Sequence, residues 1–288
     1  MLPQATSDLY DATRRRGAAT ALLVRSEWEK IDPAGDWWGQ WLRLLPRAAL
    51  IVGSSRVGAA TDGVASVPAA LEEFGSPSVP VKINPKAFAG WAGSGVPLAD
   101  YLSSPVRVAR DSPGSEVERL AAGRSWLEGL TRTAVSDAAR GGSSVAIAAT
   151  PRMGYTRYES APYCQRCAQL VGKWFRWNQG FQRHPRCDAV HVPAAQDSPP
   201  EKRYTTDIDA SMIRDLTEAQ RKAIEEGADL YRVLNAYRGT NSDSQRTSMF
   251  TTREASRGAL RLTPEGIYSR AKGRDHALTM LRQHGYLT

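Results

Sequence analysis

The chain has 288 residues, of which 41% are hydrophobic and 24% charged, and its mean hydropathy is −0.43. This length allows one or two domains with a sizeable core. The most apolar stretch, around 42–52, is broken by Arg43, Pro46 and Arg47 and is shorter than the roughly 20 residues that a membrane span needs. The formal charge of +8 is carried by 31 arginines and only 7 lysines, which favours an acidic partner such as nucleic acid.

The first 75 residues are predicted to be helical. Apolar residues repeat with a period near 3.6 until the Asp32-Pro33 break, as shown by Leu9, Ala12, Ala19 and Leu23. A second helix is predicted from 37 to 60, with Pro46 expected to kink or split it. Half of the eight tryptophans lie between residues 28 and 41. They could form a helical core or dock a partner protein, and we favour the core because exposed aromatic patches are uncommon.

Residues 76–114 are rich in Pro, Gly and Ser and predict an extended connector. A helix should follow, because Ser115 and Glu118 have the spacing of a capping box and apolar residues continue on one face. Gly141-Gly142 is expected to end this helix, before a shorter one over 144–149. The prediction is thus an N-terminal helical region (1–75), a connector (76–114) and a C-terminal domain (115–288).

From Gly154 onwards the pattern predicts a small β-hairpin element within 154–193, including a β-type run at 173–177. Residues 207–288 are predicted to be helical again, with a loop over 241–256. Helix starts are indicated at Thr217, Asp229, Thr263 and Asp275, and helix ends at Gly227 and Gly285. The fold class predicted for the whole chain is α+β, mostly helical.

All three cysteines lie within 24 residues, next to one of only four histidines. Cys164 and Cys167 are separated by two residues, and so are His184 and Cys187. This spacing is typical of a structural zinc site, because each tight turn can present two ligands to a tetrahedral ion. His191 is a competing candidate for the fourth ligand. The N-terminal residues show no secretory signal, so we expect the thiols to meet a reducing compartment.

Three other interpretations of the cysteines remain open. They could be small buried hydrophobic residues, although their confinement to one window argues against this. A disulfide would leave one of the three cysteines over. Cys187 could also be a nucleophile with Asp188 and His191 close in sequence, although catalytic partners are normally assembled by the fold rather than by adjacency.

The segment from Ala161 to Cys187 contains five basic residues and no acidic one, namely Arg166, Lys173, Arg176, Arg183 and Arg186. Guanidinium groups suit phosphate because they donate two parallel hydrogen bonds, and the interleaved aromatic residues could stack on bases. We interpret these five residues as nucleic-acid contacts. The alternative is an ordinary solvated surface in an arginine-rich protein. The short basic helices that follow could form a helix-turn-helix, but most such pairs are ordinary αα-hairpins.

An ordered set of motifs resembles the MuF-type minor capsid, or head morphogenesis, proteins of tailed phages, especially those of actinobacterial phages. The set starts with Cys164-x2-Cys167, continues through Trp177-Asn178 and Gly180-Phe181, and reaches His184-Pro185-x-Cys187. Three further segments follow in order: 227–239 (GADLYRVLNAYRG), 251–258 (TTREASRG) and 267–286 (IYSRAKGRDHALTMLRQHGY). Together they span about half of the chain. Where the family often has a further cysteine, this chain has Ala189, so His184 or His191 becomes a necessary ligand.

The resemblance implies a structural protein, present in low copy inside the phage head near the portal. Proteins of this family are linked to head assembly and to DNA packaging or ejection. We therefore expect a structural Zn²⁺, a portal or major capsid protein as partner, and packaged DNA as a secondary partner. The expected location is the virion interior, after synthesis in the host cytoplasm. No membrane and no small-molecule substrate are expected.

Two alternatives to this function stay open. Related phage proteins have been labelled capsid maturation proteases, which would make the chain an enzyme. No Gly-x-Ser-x-Gly motif is present, and His276 and His284 lie on a basic C-terminal helix, so we expect no catalytic activity. The other alternative is a zinc-ribbon protein that binds nucleic acid.

Overall fold

A computed structural model of the chain describes residues 1–79, 82–179, 187–236 and 262–287. These residues belong to two compact units. The first unit comprises Met1–Glu159 and Gly172–Thr205, and the second comprises Ser160–Val171 and Thr206–Thr288. The predicted boundaries near 75 and 114 do not separate the units, because the helices on both sides of the predicted connector pack on one another.

The predicted α+β class is confirmed, since the described residues are mostly helical and include one small antiparallel sheet. In chain order the elements are α1 (Gln4–Trp28), α2 (Trp37–Glu73), α3 (Leu98–Asp111), α4 (Glu116–Ala149), β1 (Met153–Tyr158), α5 (Gln165–Ala168), β2 (Trp174–Arg176), β3 (Val190–Ala195), α6 (Glu218–Glu225), α7 (Leu230–Asn235), α8 (Pro264–Tyr268) and α9 (Arg274–Gln283). None of the helices in this described part of the chain is both long and apolar enough to cross a membrane.

Helix α2 is one helix of 37 residues, so Pro46 does not split it. Asp36 caps its start by accepting hydrogen bonds from the backbone N–H groups of Trp38 and Gly39. Pro46 lies on the exposed face, whereas Trp41 and Leu45 on the opposite face are buried. Packing of that apolar face outweighs the one backbone hydrogen bond that a proline removes.

Two tryptophans of the cluster, Trp28 and Trp41, are core residues, as the sequence indicated, whereas Trp38 is exposed. The rings of Trp28 and Trp41 meet edge to face with centroids 5.0 Å apart. The indole N–H of Trp41 donates to the carbonyl of Leu102 at 2.9 Å, and that of Trp28 donates to the carbonyl of Leu120 at 3.1 Å. Both indole N–H groups therefore keep a hydrogen-bond partner although the rings are buried.

The second half of the predicted connector is helix α3. Its residues Leu98, Leu102, Val106 and Ala109 are buried in the same cluster as the two core tryptophans. The Pro, Gly and Ser content that suggested an extended segment includes Pro105, which lies inside this helix. Tertiary packing of one apolar face has overridden weak local helix propensity.

Helix α4 continues across Gly141-Gly142, where the sequence predicted its end. A Cβ atom on Gly142 would lie 2.2 Å from the carbonyl oxygen of Ala60 in α2. Gly63 of α2 is equally close to the backbone of α4, since its Cβ would lie 2.0 Å from the carbonyl oxygen of Ala139. These glycines therefore allow the two helices to pack closely.

The sheet has the strand order β2-β1-β3, and both pairs are antiparallel. In β1 and β3, Arg157 lies opposite His191 and Tyr158 lies opposite Val190. The predicted β-element is therefore a three-stranded sheet. Its third strand provides support that an isolated two-stranded hairpin lacks.

The second unit confirms most of the local helix signals. Thr217 and Gln220 form a capping box at α6, Asp229 caps α7 and Thr263 caps α8. Helix α9 starts two residues earlier than predicted, with Gly273 rather than Asp275 at its cap. The apolar core of this unit includes Tyr286, Leu281 and Ile267. The loop predicted over 241–256 lies outside the described residues.

Candidate metal centre

Glu159 and Cys187 lie where two neighbouring strands of the first unit end and begin. Glu159 directly follows β1, and Cys187 precedes β3 by three residues. Because Tyr158 is paired with Val190, the segment leaving β1 runs beside the segment that enters β3. Both side chains are buried, with exposed fractions of 5% for Glu159 and 1% for Cys187.

A buried group of possible metal ligands includes these two side chains. The carboxylate of Glu159 and the thiol of Cys187 place their ligand atoms within 4.8 Å of each other. Bonds to zinc are about 2.3 Å from sulphur and about 2.0–2.2 Å from carboxylate oxygen. Two ligands of one tetrahedral ion are thus separated by roughly 3.5 Å, and small shifts would bring the group to that spacing. These residues could hold a metal ion.

Arg157, in β1, donates hydrogen bonds to two members of this group. Its Nη2 atom lies 3.0 Å from Oε2 of Glu159 and 3.1 Å from Sγ of Cys187. The guanidinium is only 2% exposed. A buried cation therefore contacts both a buried carboxylate and a buried thiol of the first unit. A buried charged group needs such a partner, because an unpaired charge is costly away from water.

Arg140, in α4, holds the backbone on which Cys187 lies. Its Nη1 atom donates to the carbonyl oxygens of Cys187 at 2.9 Å and Ala189 at 2.8 Å, and it lies 3.8 Å from Sγ of Cys187. Its Nη2 atom is paired with Asp137, one turn earlier in α4. This arginine therefore carries its own counter-ion and fixes the segment that enters β3.

Cys164 has a local structural role in the second unit. Its sulphur accepts a hydrogen bond from the backbone N–H of Cys167 at 3.3 Å and so caps the short helix α5. Both cysteines of the predicted Cys-x2-Cys turn therefore lie in the second unit, Cys164 at the cap of α5 and Cys167 within it. All three cysteines carry thiols.

Of the two histidine candidates for the fourth ligand, His191 lies within the described residues. His184 lies outside the described residues. His191 is buried in β3, stacks on the ring of Tyr155 with centroids 3.9 Å apart, and has its Nδ1 atom 3.1 Å from Oγ of Ser144. It is not in the close group of ligand atoms. These contacts direct its ring towards β1 and α4.

The residues of the nucleophile alternative make separate contacts in the first unit. Oδ2 of Asp188 accepts a hydrogen bond from the hydroxyl of Tyr10 at 3.2 Å and lies 3.4 Å from Nε of Arg14. His191 faces Ser144, and Cys187 is contacted by Arg157 and Arg140. Cys187, Asp188 and His191 are therefore close in sequence because they lie around the start of β3, and each contacts different residues.

Three of the five predicted nucleic-acid contacts are described, and each is exposed. Arg166 belongs to the second unit, whereas Lys173 and Arg176 belong to the first. Trp177, next to Arg176, is also exposed. Arg183 and Arg186 lie outside the described residues.

Glu159, Arg157 and Arg140 belong to the site and were not predicted from the sequence. A possible signal was the Arg157-x-Glu159 pair, which puts a cation and a carboxylate five to seven residues before the first cysteine. Arg140 carried no such signal, because it lies on a long helix 47 residues from Cys187.

Comparisons of the chain with protein-family models, with curated proteins and with solved structures found no match. The functional conclusion therefore rests on the motifs of the chain and on the geometry of this site.

Proposed function

We propose that this protein is a non-enzymatic structural component of a tailed-phage head, located inside the capsid near the portal, with one structural Zn²⁺. The observation that carries the proposal is the ordered set of MuF-type motifs from Cys164 to Tyr286. The chemistry of the candidate metal centre is consistent with it. Cys167, Cys187 and Glu159 are each at least 95% buried, and such burial suits a structural zinc ion rather than a catalytic one that must admit substrate.

The zinc ligands in this proposal are Cys164, Cys167, Cys187 and a histidine, with His184 preferred over His191. Glu159 is the alternative to the histidine, because its carboxylate lies close to the thiol of Cys187. Once bound, the ion would cross-link the segments that carry these ligands. Elemental analysis of the purified protein should find about one zinc per chain. A chain that is free of metal and keeps its full thermal stability would remove zinc from the proposal.

Contact with another protein is supported by exposed apolar residues on the first two helices. Leu22 and Leu23 of α1 and Leu50 of α2 are 57% to 69% exposed. A groove of about 590 Å³ lies between α1 and α2, lined by Leu23 and Ile51 and by two arginines, Arg15 and Arg16. We assign this groove to the portal or capsid contact, because exposed apolar groups are the usual centre of such interfaces.

Packaged DNA is proposed as a secondary partner. The exposed side chains of Lys173, Arg176 and Trp177 in the first unit combine cations with an aromatic surface. Such a combination contacts phosphates and stacks on bases without sequence preference. Binding to DNA should therefore weaken steeply as salt concentration rises.

Coexpression with the portal, scaffold and capsid proteins encoded by the same genome tests the main proposal. The chain should copurify with portal rings or with assembled heads and leave the capsid protein at its full length. If the capsid protein is trimmed only when this chain is present, and one serine substitution here stops the trimming, the chain is a protease. Absence from both rings and heads would contradict the structural role.

A further inference from the structure

We propose that Arg157 is a positioning residue for the metal centre, which holds Glu159 and Cys187 at binding distance and places a positive charge against both. The proposal rests on the metal site of the proposed function and adds a residue that does not itself bind the ion. It starts from the two hydrogen bonds of one guanidinium nitrogen, at 3.0 Å to Glu159 and 3.1 Å to Cys187.

These hydrogen bonds are compatible with metal binding by the same two side chains. The oxygens of a carboxylate offer about four lone-pair sites, so one hydrogen bond to Oε2 of Glu159 does not exclude a bond from the same carboxylate to a metal ion. A thiolate sulphur can accept a hydrogen bond while it coordinates a metal ion. Arg157 can therefore keep both contacts in the loaded site and fix the orientation of two ligands at once.

The charges of the buried groups support the same role. The thiolate of Cys187 and the carboxylate of Glu159 bring negative charge to positions that are at least 95% buried. Arg140 does not balance this charge, because it is already paired with Asp137. The positive charge of Arg157 lies against both groups, and an unpaired charge at this depth is costly.

The backbone of Arg157 is itself held in place. Arg157 is paired with His191 across β1 and β3, and its carbonyl oxygen accepts a hydrogen bond from the backbone N–H of Gly172 at 2.8 Å. The guanidinium therefore extends from a fixed strand rather than from a loop. Residues that orient metal ligands in this way typically change metal affinity by about 10- to 100-fold when they are replaced.

The test is zinc affinity, measured by competition with a chromophoric chelator, for the full chain and for Arg157→Met, Arg157→Lys and Arg132→Met. Arg132 is an exposed arginine of α4 and serves as the control. We expect Arg157→Met to bind zinc about 10- to 100-fold more weakly and Arg132→Met to match the wild type. Arg157→Lys should lie between them, because lysine restores the charge but lacks the fixed fork of guanidinium donors.

A second measurement separates positioning from a general loss of stability. The absorption spectrum of the Co²⁺-loaded protein reports the geometry and thiolate ligands of the site, and it should shift in Arg157→Met. Thermal unfolding in excess chelator should be similar for Arg157→Lys and the wild type. If Arg157→Met cannot be purified, the affinity and spectrum of Arg157→Lys decide the matter.

The outcomes distinguish this inference from the proposed function. If the wild type binds neither Zn²⁺ nor Co²⁺, the metal centre and the role of Arg157 are both wrong. A different result would make only the role of Arg157 wrong. In that case the wild type binds zinc, and Arg157→Lys binds it equally tightly with the same Co²⁺ spectrum. Arg157→Met, where it folds, would do the same.

Discussion

The first unit stabilises two buried regions in different ways. Around Trp28 and Trp41 the buried side chains are apolar, and their few polar atoms are satisfied by backbone carbonyls. Around Cys187 the buried side chains are ionisable, and two arginines hold them through hydrogen bonds. The apolar region depends on shape and contact area, whereas the polar region depends on every charge having its partner.

The largest expected effect comes from removing one ring of the apolar region. Trp41→Ala should lower the free energy of unfolding by about 4 kcal/mol, because it leaves a large cavity in a close-packed core. The neighbouring Trp38 is a matched control, since it is 42% exposed while Trp41 is fully buried. Chemical denaturation of both variants checks the prediction, and equal losses would contradict the assignment of Trp41 to the core.

The polar region should be nearly as sensitive to the loss of one cation. Arg140→Met should cost about 3 kcal/mol, because it removes the donor that serves Asp137 and the carbonyls of Cys187 and Ala189. The control is Arg132→Met on the exposed face of the same helix. A cost below that of the control, measured by denaturation, would show that this region tolerates an unbalanced charge.

A smaller effect is expected where α2 and α4 pack most closely. Gly142→Ala should cost about 1–3 kcal/mol, because the added methyl group would overlap the backbone of Ala60. Gly90→Ala is the control, since a Cβ at Gly90 would meet no atom within 4 Å. If Gly142→Ala were neutral or stabilising in thermal unfolding, the close approach of the two helices would be wrong.

The smallest effect is expected at the exposed, hydrogen-bonded pair of Ser115 and Glu118, in contrast to the buried polar region around Cys187. Hydrogen bonds from the backbone and side chain of Ser115 hold the pKa of Glu118 below its usual value. A depressed carboxyl pKa adds stability above the unfolded-state value near 4.5, and this stability is lost as pH falls through the folded-state pKa.

Glu118→Gln should remove this pH dependence and leave the stability near pH 7 slightly lower. The measurement is the melting temperature between pH 3 and pH 7, compared with the wild type. A wild type and variant with parallel pH profiles would contradict the role of the Glu118 carboxylate in capping α4.

The sequence determined the features that depend on neighbours a few residues apart. The capping boxes of Ser115 with Glu118 and of Thr217 with Gln220 were predicted and are present, because both partners lie within one helical turn. The helical character of the first 73 residues and the mostly helical α+β class follow from local periodicity in the same way. The concentration of thiols and the possibility of a metal ion were likewise indicated by spacing.

Only the tertiary structure decided which residues meet at long range. Gly141-Gly142 is a typical helix end by local rules, but contact with α2 across about 80 residues makes it part of one long helix. Glu159 and Arg157 approach Cys187 because β1 and β3 are paired, and Arg140 reaches the same cysteine from α4. Spacing along the chain cannot reveal such partners, because the contact is created by packing and not by the local backbone.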